Sequence, residues 1–385
     1  MLSRRRFFTS LAATGVGSAL VPGSLQKLLA QVSGNDKPST NINEAMKHPR
    51  IPSSMPGKFP GKVVQIVHDR SVVGKNIDPE IASEMVKKGM LTLSGSADLP
   101  DAWRMFVLPT DRIGLKVNPV AGPLLSTSLE ITRAVIHQLE EAGIPKENIL
   151  IWDRREFELH EAGFTAENFP GIKILGTERK DEKGSFYDSD GKLYGERMID
   201  RDWYYMADCE EKYDADTLPY MINEGKYSYF SSIVTQQVDK IINIPILKNA
   251  GPTVTLCMKN LAFGSISNTG RLHKKLWAET CAEVCAFPPL RDKVVLNIAD
   301  GLRGCYNGGP EAKPEFITEY KTILVGTDPV AVDRIGYEII LKKRIEEKVQ
   351  KEDNPKGRKF MELAQDLQLG TAKLDKIELN KISLS

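Results

Sequence analysis

The sequence predicts an α/β protein with a mostly parallel sheet, crossover helices and the layering of a Rossmann-like fold. β-Branched runs of strand length occur at 62–67 and 112–117. A helical spacing of apolar residues at 128–142 separates the second run from another apolar run at 148–153. A strand, a helix and a strand within about 45 residues form a βαβ unit, whose two strands are parallel.

The same alternation continues along the chain. A helix is predicted near 79–88, and Gly143 is a suitable C-terminal stop for the helix at 128–142. After residue 240 we expect strands at 240–247, 293–298 and 321–325, and helices at 253–261, 272–286 and 330–341. A polar, tyrosine-rich insertion at 177–232 interrupts the pattern and holds eight of the eleven tyrosines. We interpret it as a lid or small subdomain whose rings pack locally or stack on a ligand.

Composition excludes several classes of protein. The 385 residues are 41% hydrophobic and 27% charged, as in ordinary globular proteins. Four of the 52 basic residues lie in the first 30 positions, which contain no acidic residue, so the remainder has 48 basic and 51 acidic side chains. This balance argues against nucleic acid as a partner, because such binding requires neutralisation of phosphates.

The N-terminus has the features of a twin-arginine export signal. Ser3-Arg4-Arg5-Arg6-Phe7-Phe8 precedes an apolar stretch from Leu11 to Val21, which is too short for a membrane span of roughly 20 residues. A basic amphipathic surface helix is the alternative. We therefore predict a signal peptide at 1–30, a flexible linker at 31–60 and an α/β domain at 61–385. The protein is then expected to engage the twin-arginine machinery, to be exported to the periplasm or outside the cell, and to lack a stable membrane span once mature.

Lysine and asparagine side chains recur where predicted strands end or the next helix begins. Ligands of parallel sheets gather at the carboxyl ends of strands, where ammonium groups bind anions and amides orient them. A threonine near the start of the helix predicted at 253–261 would add a hydroxyl near free N–H groups. The sequence therefore predicts a site for an anionic small molecule formed by Lys116, Asn118, Lys248, Thr253, Lys259 and Asn260.

Acidic residues accompany these cations. Asp300 follows the strand at 293–298, and Asp333 lies one turn into an apolar helix, where a carboxylate needs a partner. Asp328 precedes Pro329 and equally fits a helix N-cap. We expect Asp300 and Asp333 to hold a metal or to serve as catalytic acid and base, with Lys248 as a base whose pKa burial has shifted.

A divalent metal is the cofactor that the sequence allows. His273, Cys281 and Cys285 fall close to one face if residues 272–286 are helical, and Asp300 or Cys305 could complete a set of ligands. The alternative is that the cysteines are small buried apolar residues. The five cysteines contain no CxxC pair, so an iron–sulfur cluster is not expected.

The motifs together resemble the family catalogued as domain of unknown function 362. The resemblance implies no activity, because the family is uncharacterised; some members are joined to iron–sulfur ferredoxin modules, and others resemble exported twin-arginine proteins. Members usually carry a His two residues after the lysine that corresponds to Lys248, where this chain has Ala250, so His273 is a possible substitute. The resemblance rests on 114–118, 244–248, 253–264, 297–301, 308–310 and 326–333.

The sequence leaves three classes of function open. The leading hypothesis is an exported enzyme that binds an anionic small molecule in a pocket of Lys, Asn and Asp side chains. A non-catalytic binding or carrier protein for an anionic cofactor would use the same pocket. A redox-associated protein is the third, and it would need a bound chromophore.

Overall fold

A computed structural model describes residues 37–210 and 225–385 of the chain. The predicted twin-arginine signal, Arg4–Arg6 included, lies outside the described residues. The described part contains fourteen strands: β1 (Lys62–His68), β2 (Val72–Val73), β3 (Asn76–Ile77), β4 (Ile113–Lys116), β5 (Ile149–Arg155), β6 (Lys173–Glu178), β7 (Ile199–Met206), β8 (Tyr227–Ser231), β9 (Lys240–Asn243), β10 (Ile246–Ala250), β11 (Thr253–Thr255), β12 (Val294–Cys305), β13 (Ile317–Gly326) and β14 (Glu378–Leu384).

Helices alternate with these strands. The α-helices are α1 (Ile42–Lys47), α2 (Pro79–Ser94), α3 (Leu99–Arg104), α4 (Leu129–Glu141), α5 (Glu156–Glu161), α6 (Cys257–Ser265), α7 (Leu272–Lys275), α8 (Trp277–Glu283), α9 (Pro288–Arg291), α10 (Pro329–Glu346) and α11 (Lys359–Asp366). Short 3-10 turns occur at Lys146–Asn148, Tyr194–Met198, Val284–Ala286, Pro314–Phe316, Pro355–Gly357 and Leu374–Lys376, and a π turn at Ile233–Gln237. None of the described helices is long and apolar enough to cross a membrane.

A ten-stranded mixed sheet forms the centre of the fold, in the order β14-β1-β13-β12-β9-β4-β5-β6, with β10 and β11 branching from β12. The α/β prediction is confirmed: β12, β9, β4, β5 and β6 pair in parallel, whereas β13 is antiparallel to both of its neighbours. Two apolar clusters cover the two faces. One contains α2 and α4, and the other contains α6, α8, α10 and α11.

The predicted elements from 62 to 155 are present, and the differences lie after residue 240. The strand expected at 240–247 is two strands, β9 and β10, separated by Pro245, which has no N–H for a sheet ladder. β9 pairs with β4, whereas β10 pairs with residues 300–305, the far half of β12. The strand expected to end at residue 298 continues to Cys305, because β10 and β13 flank this far half on its two sides.

Two predicted helices are also different. The helix expected at 253–261 begins at Cys257, since residues 253–255 form β11 and pair with β10. The helix expected at 272–286 is divided into α7, α8 and a 3-10 turn, with a break at Leu276, where φ is −128°. The side chain of Leu276 is fully buried, so packing rather than a Gly or Pro accompanies the break.

The segment predicted as the end of a flexible linker packs on the α/β body instead. Residues 42–47 form α1, and Ala45 and Met55 are fully buried. Thr40 donates a hydrogen bond of 2.6 Å to Glu283, and the Met55 N–H donates to the Arg291 carbonyl at 2.7 Å. A polar, proline-containing composition concealed these long-range contacts, which no local pattern reveals.

The tyrosine-rich insertion, as far as it is described, contains a second small sheet. β7 and β8 pair antiparallel to each other and form no ladder with the large sheet. Tyr204, Tyr227 and Tyr229 lie on this pair with ring centroids 5.2–6.3 Å apart. The rings contact one another, which agrees with the local-packing interpretation.

Candidate functional site

The chain reverses its direction of travel across the sheet between β4 and β9. From β4 it proceeds outward to β5 and β6, then returns to β9 on the other side of β4 and proceeds to β12. The helix after β4 is α4, on one face, whereas α6 and α8 follow β9 on the other. Such a switch point opens a crevice at the carboxyl ends of the two strands, and ligands of α/β folds bind there.

A row of polar side chains crosses this edge of the sheet. Lys116 of β4 is in register with Asn243 of β9, which is in register with Asn297 of β12. By the alternation of side chains along a strand, all three face the layer that contains α6. Asn260 of α6 projects onto the row, so one helix and three strands supply its members.

Hydrogen bonds orient every amide in this row. Asn260 Oδ1 accepts from Lys116 Nζ at 2.9 Å and from Asn118 Nδ2 at 3.1 Å. Asn260 Nδ2 therefore donates to Asn243 Oδ1 at 2.8 Å, and Asn243 Nδ2 donates to Asn297 Oδ1 at 2.9 Å. Because each amide oxygen faces a donor, none of these groups can be flipped without loss of a buried hydrogen bond.

Lys116 has a full set of partners. Its side chain is fully buried, and Nζ donates to Asn260 Oδ1, to the Val117 carbonyl at 2.7 Å and to the Asp153 carboxylate in a short ion pair. Burial lowers the pKa of Lys116, and Asp153 opposes that shift. Gly264 of α6 leaves the necessary room, since a Cβ there would overlap Lys116 Cε and lie 2.7 Å from Nζ.

Lys248 is fully buried but has only neutral partners. Its Nζ donates to Asn118 Oδ1 and to the Val120 carbonyl, both at 2.9 Å. Burial and the nearby Lys259 lower the pKa of Lys248 to about 7. Thr255 lies opposite Lys248 in the β10–β11 pair, and its buried hydroxyl has no hydrogen-bond partner in the described part of the chain.

Lys259 of α6 has no hydrogen bond or ion pair with any residue that the structure describes. Its side chain is 8% exposed, and Nζ lies 5.7 Å from the centre of the Phe263 ring. Burial lowers the pKa of Lys259; the nearby Cys281 opposes this shift, and Arg154 adds to it. The Phe263 ring also contacts His273, at 4.5 Å between centroids.

The aspartates have structural partners in this fold. Asp333 accepts hydrogen bonds from the Cys257 and Met258 N–H groups, at 2.6 and 3.0 Å, and so caps α6. Asp300 accepts from the Ser128 and Leu302 N–H groups, at 2.8 and 3.0 Å. Asp328 caps α10 through the Ala331 N–H, as one of its two interpretations anticipated.

Burial raises the pKa values of these carboxyl groups, and the N–H donors oppose the shift. The pKa of Asp333 rises to about 7 and that of Asp328 to about 6, and the pKa of Asp300 also rises. Both oxygens of Asp300 and of Asp333 are occupied by backbone donors. Their place in the fold is therefore at helix starts and turns, beside the polar row rather than in it.

Thr253 and the predicted metal ligands lie apart from the polar row. Thr253 Oγ1 donates to the Gly357 carbonyl at 2.5 Å. Partial burial lowers the pKa of His273 to about 4, and its Nδ1 lies 3.0 Å from the Thr269 carbonyl. Cys281 and Cys285 are fully buried thiols whose pKa values burial raises. The described residues contain no group of three or more His, Cys, Asp or Glu side chains placed to hold a metal ion.

Sequence reasoning identified Lys116, Asn118, Lys248 and Asn260 as site residues, and the structure joins them in one network. It missed Asn243, Asn297 and Asp153. Each lies in or at the end of a predicted strand, so the signal was a polar residue inside an apolar strand, where burial demands a partner.

Comparisons with known proteins show a similarity to one family over part of the chain. Residues 210–338 match the model of the family Domain of unknown function (DUF362), about a third of the chain, and this segment includes Lys248, Lys259 and Asp333. No curated protein matches the sequence. A crystal structure of a Thermotoga maritima protein aligns with 10% identity and a TM-score of 0.34, over 71% of this chain and 60% of that one.

Proposed function

We propose that the protein binds an anionic small molecule through Lys248 and Lys259. The observation that carries the proposal is the absence of any acidic partner for either amine among the described residues, although both are at least nine-tenths buried. A buried ammonium without a counter-charge costs several kcal/mol, so such groups are neutral or await an anion. A bound anion would supply the missing charge to both.

The neighbouring groups fit this role. Asn118 fixes the Lys248 ammonium through its oxygen, and Asn118 is itself fixed by Asn260. Lys116 is neutralised by Asp153, so it orients the amides rather than contributing a free charge. The unpartnered Thr255 hydroxyl is a hydrogen-bond donor beside Lys248.

Calorimetric titration with oxalate as the probe tests the proposal. An anion raises the pKa of each lysine, so binding takes up protons near pH 8, and affinity is higher at pH 6.5 than at pH 8.5. We expect Lys248→Met and Lys259→Met to weaken oxalate binding by about tenfold or more, which corresponds to about 1.4 kcal/mol.

The matched control is Lys293→Met. Lys293 is a partly buried lysine whose Nζ donates to three backbone carbonyls, at 2.7, 3.1 and 2.8 Å. It directly precedes β12, whereas Lys248 pairs with Cys305 at the opposite end of that strand. Equal weakening by all three substitutions, or binding without proton uptake, would contradict the proposal. Native mass spectrometry of the purified protein, compared with its denatured mass, would show an anion that the protein retains.

Catalysis is a second candidate, favoured by the neutral partners of Lys248. An amine whose pKa is about 7 is available as a proton acceptor at neutral pH. Lys248→Arg keeps a permanent positive charge but no base. If the protein is an enzyme, this variant retains anion binding and loses turnover of the retained ligand; if it is a carrier, wild type and variant leave the ligand unchanged.

Substitution of Asp333 distinguishes a structural role from a catalytic one. Because both of its oxygens accept backbone hydrogen bonds at the start of α6, Asp333→Asn should loosen the helix that carries Lys259 and Asn260. We expect this substitution to lower stability and anion affinity together. Selective loss of turnover with intact binding would instead assign Asp333 to the chemistry.

We also propose export through the twin-arginine machinery, on the strength of the Ser3–Phe8 sequence alone. The test is fractionation of cells that express the natural chain or the Arg5→Lys, Arg6→Lys double variant. Export that requires the arginine pair would support the proposal, and identical distribution of the two proteins would overturn it.

A further inference from the structure

The amines of Lys116 and Lys248 differ in the number of hydrogen bonds that they donate. Lys116 Nζ has three acceptors, as an ammonium with three N–H groups requires. Lys248 Nζ has two acceptors among the residues described, Asn118 Oδ1 and the Val120 carbonyl, both at 2.9 Å. Two acceptors match the two N–H groups of a neutral amine, whose lone pair is then left unoccupied.

Two further groups without partners lie near this amine. Thr255 is directly opposite Lys248 in the β10–β11 pair, so the two side chains are on the same face of the hairpin. The Thr255 hydroxyl is buried and has no hydrogen-bond partner in the part of the chain that the structure describes. Lys259 follows in the first turn of α6, and it too is buried without a described hydrogen-bond or ion-pair partner. An amine, a hydroxyl and a second cation therefore remain available in one buried region.

Burial and a neighbouring cation both make a lysine more nucleophilic at neutral pH. Burial lowers the pKa of Lys248 to about 7, and Lys259 contributes to this shift. About half of the Lys248 amines are then neutral near pH 7, whereas an exposed lysine with a pKa of about 10.4 is almost entirely protonated. A neutral amine with a free lone pair can attack a carbonyl carbon, and an ammonium cannot.

We propose that Lys248 forms a Schiff base with a small oxo acid, a ligand that carries an aldehyde or ketone group beside its carboxylate. This inference rests on the proposed anion site and names the class of its ligand. Lys259 binds the carboxylate, and the Thr255 hydroxyl donates a hydrogen bond to the carbonyl oxygen. These roles use all three available groups, whereas a ligand with a carboxylate alone leaves the lone pair of Lys248 unused.

The step is a condensation that needs no co-reactant. The lone pair of Nζ forms a bond to the carbonyl carbon, and the carbonyl oxygen leaves as water together with the two amine hydrogens. Protonation of the imine restores one N–H, which Asn118 Oδ1 accepts, whereas the Val120 carbonyl loses its donor. Val120 lies in the loop 119–126, which has to open for a ligand to reach the buried amine. Two hydrogen bonds of 2.9 Å between Asn118 and Thr127 join the ends of this loop, so it can move while Asn118 stays in place.

Trapping with glyoxylate tests the inference on the full chain. Timed incubations are quenched with sodium borohydride, which adds hydride to the imine carbon and fixes the adduct as a secondary amine. Intact mass and peptide mapping then count and locate the adducts. Near pH 7 we expect labelling at Lys248 to exceed that at any exposed lysine by about tenfold or more, and the excess should shrink near pH 10, where exposed amines also become neutral. Equal labelling of Lys248 and exposed lysines near pH 7, or labelling of Lys259 instead, would overturn the proposal.

A matched pair of variants checks the position of the adduct. Lys248→Arg should lose it, because arginine stays protonated and is no nucleophile. Lys293→Arg should retain it, since Lys293 is a partly buried lysine whose amine already has three carbonyl acceptors. The comparison of lysines within the natural chain needs neither variant, so it decides the question even if Lys248→Arg does not fold.

Lys259→Met tests the carboxylate contact separately from the reacting amine. Near pH 9, where Lys248 is largely neutral, this substitution should slow adduct formation with glyoxylate about tenfold and leave that with uncharged propionaldehyde unchanged. Thr255→Val should slow the two aldehydes equally, because the carbonyl oxygen is common to both. Equal slowing of both aldehydes by Lys259→Met would contradict its role in binding the carboxylate.

Oxalate distinguishes a failure of this inference from a failure of the anion site. It has two carboxylates and no aldehyde or ketone carbon, so it should bind, compete with glyoxylate and leave no adduct. Oxalate binding without a glyoxylate adduct at Lys248 would overturn the Schiff base and leave the anion site supported. Absence of both oxalate binding and adduct would overturn both proposals.

Discussion

The buried lysines of this protein differ in whether a carboxylate balances their charge. Lys116 is fully buried, and its ammonium meets a carboxylate, an amide and a carbonyl. Lys248 joins the network through Asn118, and Lys259 lies on α6 outside it; both are buried and meet no acid among the residues that the structure describes. The comparison teaches that burial alone does not assign a lysine to function. A lysine with a counter-charge is held as part of the structure, whereas the proposed ligand site rests on the lysines without one.

The largest effect on stability is expected at the ion pair of Lys116 and Asp153. Asp153→Asn leaves Lys116 buried without its counter-charge, which should lower the free energy of unfolding by about 3–5 kcal/mol, measured by urea denaturation. The Lys116→Met, Asp153→Asn double variant should recover most of that loss. As a control, Asp239→Asn breaks the exposed pair with Arg112 and should cost no more than about 1 kcal/mol. Similar losses at both sites would contradict the contrast.

Lys248 should make the stability of the protein depend on pH above about 7. With the pKa of Lys248 near 7 in the fold and about 10.4 in the unfolded chain, the unfolded state binds more protons between these values. Stability should therefore rise with pH from about 7 to 10, by at most about 1.4 kcal/mol per pH unit from this group. Lys248→Met should flatten the rise and the exposed Lys88→Met should not, as urea titrations at several pH values would show. A rise that Lys248→Met leaves undiminished would place the shifted group elsewhere.

Gly264→Ala tests how tightly Lys116 is held, because the added methyl group crowds Lys116 and neither of the other two lysines. The added methyl group would overlap Lys116 Cε and approach Asp153 Oδ1 to 3.2 Å. Overpacking of this kind should cost about 1–3 kcal/mol in thermal or urea unfolding. Ser265→Ala removes a neighbouring hydroxyl that has no partner among residues 37–210 and 225–385, so it should change stability by less than about 0.5 kcal/mol. A neutral Gly264→Ala would show that the Lys116 pair has room to move.

The smallest effect on stability is expected at Lys259. Since Lys259 has no hydrogen-bond partner to lose among the described residues, Lys259→Met should leave the free energy of unfolding unchanged or raise it by up to about 1 kcal/mol. Calorimetric melting measures this directly. A loss of more than about 2 kcal/mol would reveal that Lys259 is held like Lys116 and would remove the contrast.

The layering of the fold could be predicted because it depends on local patterns. Apolar strand runs and helical spacing at 62–155 identify the βαβ unit regardless of what packs on it. The elements after residue 240 were harder, because β10 and the far half of β12 exist through pairing with each other. An apolar pattern does not say where one strand stops pairing with one neighbour and starts with another.

The sequence by itself determined the class of fold and placed lysine and asparagine side chains at the carboxyl ends of strands. Tertiary structure alone decided their partners. Asp153 joins Lys116 across 37 positions, and Asp333 caps α6 from 75 and 76 positions away, so an apparent acid–base candidate is a helix cap and a strand-end lysine is neutralised. Local patterns follow from the period of one element, whereas the compensation of a buried charge depends on which distant group the packed chain brings within hydrogen-bonding distance.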